Sequence, residues 1–331
     1  MSIDSSSVVF HHQAAHPLRA SRRWSLSTWT LSAVFFGALF AFALELVPSS
    51  SAWGLALFFN LAVGLPHGAV DHLVCERQWG HRLGLKALFI FCVLYLLVML
   101  AFSGLIIAYP FAGLWLFILM SAEHFGQSHR GAQSRSLRMS CFGFLIISAL
   151  VLGQWAESEQ LLALVLSPER RQQSWLVFSY GTGVALFGYG IMSCAALMQG
   201  SVRLKRFVWE LSFISLLAIL AYRGPLWWSF TIYFCFAHAI DAWEDLLKVR
   251  QLRTEQLGQL YRYALPFSSL ALVGAFLLWV LCEYELIEKW LLFALLLAGP
   301  VPHMLIFDWL SPSARAKVGA CSGAGMQREC S

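Results

Sequence analysis

Apolar runs of close to twenty residues recur along the whole chain, each closed by a short polar or proline-containing break. A helix needs about 20 apolar residues to cross the hydrocarbon of a bilayer. The pattern therefore predicts membrane-crossing helices over roughly 26–47, 51–70, 85–108, 111–128, 139–155, 173–199, 207–222, 225–244, 263–284 and 288–309. Tyr109–Pro110, the serines Ser49, Ser50 and Ser51, and Gly224–Pro225 mark breaks between runs. The stretch 161–167 is too short to span and reads as a lid or interfacial segment. The expected fold is all-α: a polytopic integral-membrane bundle of about 10 transmembrane helices. It divides into a leader over 1–25, one membrane domain over 26–309 and a tail over 310–331.

The polar residues that interrupt the runs are not scattered. His67, His124, His238 and His303 each fall near the end of a long apolar run. Small or ionisable neighbours accompany them, in GLPHGAVDH, MSAEHFGQSH, CFAHAIDAWED and GPVPHMLIFD. Ionisable groups at such depth are costly and face a partner or a cavity rather than lipid.

Composition supports a membrane protein. The 331 residues are 59% hydrophobic and only 12% charged, where soluble domains carry about 25% charged residues. No polar stretch is long enough for a separate soluble domain. The net charge of +5 gives no basic stripe with interleaved aromatics, so nucleic acid is not an expected partner. Basic residues sit in the breaks, and short cytoplasmic loops gather Lys and Arg. All but Arg170, Arg171, Arg223 and Lys289 fall on one side of a ten-span count, which predicts both termini in the cytoplasm and a multi-pass protein of the inner membrane. The same count puts the four histidines at one depth near the cytoplasmic ends of spans two, four, eight and ten. The leader, with Arg19, Arg22 and Arg23, reads as the start of an uncleaved first helix rather than a signal peptide.

Histidine is the commonest metal ligand. Four at one depth predict a shared metal or polar site, against the alternative of four packing histidines. Asp71 follows His67 by four residues and Asp241 follows His238 by three. Both carboxylates are candidates to hold a ligand histidine through its second ring nitrogen, although Asp71 can instead cap a turn. Glu123 points away from its neighbour His124, and His72 lies about 140° around a regular helix from His67. His11, His12, His16 and His81 read as leader or loop residues, and His129 as an outer group. The chemistry of an all-histidine shell admits iron, zinc, copper or manganese. The eight cysteines show no CxxC spacing, which excludes thiolate-zinc and iron–sulfur sites of the usual kind. Walker A, Rossmann, HExxH and GxSxG patterns are absent.

The motifs GLPHGAVDH, SAEHFGQS, YFCFAHAIDAW and PHMLIFD, in this order, resemble the signatures of the Brp/Blh family of integral-membrane β-carotene 15,15′-dioxygenases. The resemblance runs from about residue 30 to 310. It implies cleavage of the central double bond of β-carotene, or a related carotenoid, by O2 to give two retinal molecules. It also implies non-haem Fe(2+) held by histidines, and a product that often supplies a microbial rhodopsin. Carried over residue by residue, it gives His67, His124 and His238 the catalytic metal-binding role. The family's third motif has two histidines four apart, and its second position here is Ala242. His303 then completes the shell, or three histidines suffice, or the activity has changed. Ser128–His129 stands where an aspartate is expected. The departures mark a divergent member and leave open a metalloenzyme acting on another polyene or lipid. They equally leave open a transporter or chaperone for retinal or a rhodopsin. Trp115, Phe125, Tyr233, Phe234 and Trp243 are candidate walls for an apolar substrate entering from membrane lipid, or else packing residues.

Overall fold

The computed structural model describes residues 32–37, 49–79, 84–128, 136–250 and 256–307. Every regular element among them is helical, as the all-α reading expects. The elements are α1 (32–37), α2 (Ser49–Phe59), a π-helical segment (Asn60–Gly64), α3 (Leu65–Gly68), α4 (Asp71–Trp79), α5 (Leu85–Ala108) and α6 (Pro110–Ser128). There follow α7 (Leu137–Gly153), α8 (Trp155–Leu162), α9 (Pro168–Met198), α10 (Leu204–Arg223) and α11 (Leu226–Tyr233). A second π-helical segment (Phe234–His238) leads into α12 (Ala239–Arg250), then α13 (Leu257–Glu283), α14 (Lys289–Ala298) and α15 (Val301–Leu305).

The expectation of about ten membrane-crossing helices is not met. Among the described residues four helices are long and apolar enough to cross: Trp53–Glu76, Leu85–Ala108, Pro168–Met198 and Leu257–Glu283. A fifth is reached only if α7 and α8, bent by 93° at their junction, are taken as one span. The reasons are local. The run at 288–309 breaks at Gly299–Pro300 into a helix of ten residues and one of five. The run at 225–244 is divided among α11, a π segment and α12. Lys205, Arg206, Glu210 and Arg223 punctuate α10, and Glu123, His124 and Gln127 fall inside α6. Hydropathy registers an apolar run but not where its backbone turns. The assignment of both termini to the cytoplasm rested on the ten-span count and falls with it. The leader (1–25), the tail (310–331) and most of the first expected run lie outside the described residues.

The long helices turn apolar side chains outward. Phe89, Ile90, Leu94 and Leu97 on α5, Val184 and Phe187 on α9, and Leu270 and Phe276 on α13 are all exposed. Bare apolar surface on this scale fits contact with lipid rather than water. Inside, Phe142, Ile146, Phe213, Leu217, Leu220 and Tyr233 form a core shared by α7, α10 and α11.

Helix ends follow local chemistry. Pro110 starts α6, where its missing N–H costs nothing. Ser167 caps α9 with Pro168 at the first turn. Helices α6 and α7 pack backbone to backbone through two glycines. A Cβ on Gly143 would lie 1.8 Å from the Ala122 carbonyl oxygen, and one on Gly126 would lie 2.0 Å from that of Met139. No side chain fits at either point, and this close approach fixes the segment carrying His124. On the far side of α7, the fully buried Glu210 of α10 takes Arg138 at 2.5 Å, Arg206 at 2.8 Å and the Tyr189 hydroxyl at 2.6 Å. A buried carboxylate persists only with such partners.

Candidate metal centre

Three of the four histidines sit where a helix is broken or has just changed its winding. His67 lies on α3, directly after the first π segment. His238 is the last residue of the second π segment. His303 lies on the five-residue α15, after the Gly299–Pro300 turn. His124 is near the end of α6, two residues before Gly126. A π turn adds a residue to a helical turn and re-aims the side chains beyond it, and such turns concentrate at functional sites.

All four side chains are buried and they meet. Ring centroids are 5.0 Å apart for His67–His238, 4.8 Å for His238–His124, 5.1 Å for His124–His303 and 5.1 Å for His303–His67. The imidazoles therefore close a ring of four. The ligand nitrogens of His67, His238 and His303 all lie within 4.8 Å of one another. The Nε2 atoms of His124 and His238 face each other at 3.2 Å.

Hydrogen bonds assign the nitrogens. The Nδ1–H of His67 donates to the Gly64 carbonyl, and that of His303 donates to Asp71 Oδ1 at 2.7 Å. Each ring then carries its lone pair on Nε2, the nitrogen left for a metal. The Tyr95 hydroxyl donates to Asp71 Oδ2 at 3.4 Å, so a phenol, a carboxylate and an imidazole stand in series.

The donor set fits a transition metal. Metal–nitrogen bonds of ~2.1 Å place coordinated nitrogens about 3.0–3.4 Å apart, which brackets the 3.2 Å of His124 and His238. Imidazole suits iron, zinc, copper and nickel alike. Buried imidazole lone pairs turned toward one another repel unless a cation or a proton lies between them.

The structure thus brings His67, His124, His238 and His303 to one place. Asp71 lies there as well, but against His303. A turn over 69–70 separates α3 from α4, so the i, i+4 alignment with His67 does not form. Asp241 is half-buried on α12, one turn beyond His238. Glu123 turns away and accepts a hydrogen bond from Ser140 on α7. His72 packs on Phe267, ring centroids 4.6 Å apart. Ala242 is buried beside Trp243, and the fourth imidazole at the cluster is His303. His81, His129 and Asp308 lie outside the described residues.

Of the aromatic candidates, Phe125, Tyr233 and Phe234 surround His238 at 4.9, 6.4 and 5.7 Å. Trp115 lies instead on Phe178, and Trp243 stacks on Tyr261.

Residues not foreseen from the sequence complete the site. Phe307 closes on His303 at 5.1 Å. Asn60 joins the two π segments: its Nδ2 donates to Thr231 Oγ1 at 2.7 Å and to the Ala56 carbonyl at 2.9 Å. Cys235 Sγ lies 3.8 Å from Asn60 Oδ1. A Cβ on Gly64 would meet the Phe234 ring at 2.6 Å. A lone amide in an apolar run is the signal that Asn60 offered, and Gly64 was visible as a small residue flanking His67; Tyr95 offered none without the fold.

The model of the family described as "Beta-carotene 15,15'-dioxygenase" matches residues 58–311. The chain belongs to this family. The matched region contains all four clustered histidines and both Asp71 and Asp241. A member from an uncultured marine bacterium, 66A03, carrying the same description, is 25% identical over 276 residues, covering 80% of this chain and 96% of that protein. No solved structure matches. The chain is thus a family member with apolar helices and a buried histidine cluster, His67, His238 and His303, that could hold a metal ion.

Proposed function

We propose that the protein is an iron-dependent oxygenase that cleaves the central double bond of β-carotene with O2, giving two retinal molecules. The observation that carries this reading is the closed ring of four buried imidazoles in a chain of this family. His67, His124 and His238 would hold Fe(2+), and His303 would supply the imidazole that Ala242 does not. When bound, the iron would supply the redox chemistry that lets O2 react with an alkene. The balance is simple: one carbon–carbon double bond and one O2 are consumed, and each new aldehyde keeps one oxygen atom.

The chain's own residues have definite tasks. The Gly64 carbonyl and the Asp71 carboxylate hold His67 and His303 in the tautomer that presents Nε2. Phe125, Phe234 and Phe307 surround the cluster with hydrocarbon. They exclude water and offer contact surface to a polyene. No side chain needs to form a covalent bond with the substrate. The bare apolar helices suit a protein of the cell's inner membrane that draws carotenoid from lipid, and its retinal would serve a microbial rhodopsin.

The test is expression in β-carotene-producing cells, with pigment loss and retinal measured, alongside metal analysis of detergent-purified protein. Retinal formation with bound iron supports the reading. Iron-loaded protein that leaves β-carotene intact would sink the substrate assignment. Ala242, buried where the family's motif has a histidine, favours one second reading: oxidation of a different polyene or lipid. A changed lipid species other than retinal in expressing cells would support it.

A further inference from the structure

Three tyrosines near polar groups invite comparison, Tyr95 half-buried and Tyr189 and Tyr233 buried. The Tyr95 hydroxyl donates to Asp71. The Tyr189 hydroxyl donates to Glu210. Tyr233, with no exposed surface, has a hydroxyl with no hydrogen-bond partner among the described residues. A buried hydroxyl without a partner costs free energy that phenylalanine would not. The position must therefore be explained by something other than packing.

The placement gives the explanation. Tyr233 is the last residue before the second π segment, and His238 is the last residue within it. Five residues of regular α-helix would put the two side chains about 140° apart. The wider π winding brings them back to one face, and the rings stand nearly parallel, 25° apart in plane and 6.4 Å between centroids. Phe125, beside the ligand candidate His124, packs edge-on against both, at 5.1 Å from Tyr233 and 4.9 Å from His238. The Tyr233 ring thus stands beside the histidine cluster, among neighbours that are otherwise hydrocarbon.

We propose that Tyr233 donates a hydrogen bond to a small oxygen ligand, dioxygen or water, that shares the histidine cluster with the substrate. The inference rests on the iron-oxygenase reading above. It makes Tyr233 the group that distinguishes an oxygen ligand from the polyene in an apolar chamber. A phenol suits this role because it donates one proton in a fixed direction and stays neutral in surroundings where a charged donor would be costly.

The experiment compares wild type, Tyr233→Phe and Tyr189→Phe in detergent. Nitric oxide serves as the dioxygen surrogate. Three quantities are measured: melting temperature of the metal-free protein, iron stoichiometry, and nitric oxide affinity with its electron paramagnetic resonance signature. Tyr233→Phe is expected to melt at or above the wild-type temperature, to bind iron as wild type does, and to lose about tenfold in nitric oxide affinity with an altered signature. Tyr189→Phe, which removes a partnered hydroxyl, is expected to melt lower with unchanged nitric oxide affinity. A lower melting temperature in metal-free Tyr233→Phe would show that the hydroxyl serves the fold, and would overturn the proposal. Unchanged nitric oxide affinity in an iron-loaded variant would overturn it equally. Wild-type protein without iron would instead remove the reading beneath it.

Discussion

His238 is enclosed by the site: its Nε2 faces His124, and its ring meets His67, Phe125 and Phe234. Replacing His238 with alanine is expected to abolish both iron retention and retinal formation. Metal analysis of the purified variant checks the first and product extraction the second; full activity would remove His238 from the shell. Asp71 acts one bond further out. Asp71→Asn keeps an oxygen that can accept the His303 Nδ1–H but removes the charge that strengthens that bond. Loss of such an outer partner lowers metal affinity roughly 10–100-fold, measurable by competition with a chelator of known strength. Unchanged affinity would mean that Asp71 orients nothing. These residues were legible in the sequence because histidine and aspartate are conspicuous inside apolar runs. Their pairing was not. The expected contact of Asp71 with His67 assumed one continuous helix, and the turn over 69–70 redirects the carboxylate to His303, 232 positions away in the chain.

The helices themselves were partly legible. Apolar runs located most of them, and Gly299–Pro300 was visible as a flanking break. Two features were hidden. The π segments leave no mark in hydropathy, since an extra residue in a turn changes direction rather than composition. Close helix contact is hidden too, because a glycine in a run can mark a turn, a bend or a meeting point. At Gly143 it is a meeting point. Gly143→Ala would push a methyl group into the Ala122 carbonyl, and α6 and α7 would have to separate. Overpacking of this kind costs about 1–3 kcal/mol. The expected result is a lowered melting temperature in detergent together with weakened metal binding, because α6 carries His124. Gly54→Ala, where an added Cβ meets nothing within 4 Å, is the matched control and should lower neither quantity.

At the scale of the molecule, two polar centres are held in a largely apolar body. One is the histidine ring. The other is Glu210 with Arg138, Arg206 and Tyr189. Removing one partner of a buried pair is costly, about 3–5 kcal/mol, because it strands the other charge. Glu210→Ala leaves Arg138, with only 12% of its side chain exposed, in that position, whereas Arg206 is 38% exposed and reaches solvent or headgroups more easily. The variant is therefore expected to melt well below wild type, mainly through Arg138. An unchanged melting temperature would show the network to be dispensable. The four imidazoles come from positions 67, 124, 238 and 303, so only a portion of the polypeptide that reaches from 67 to 303 contains the whole ring. During synthesis the first three histidines are made long before the last. The ring cannot close until His303 has emerged and α15 has docked, so on the proposed reading metal capture would mark the completion of assembly rather than guide its first steps.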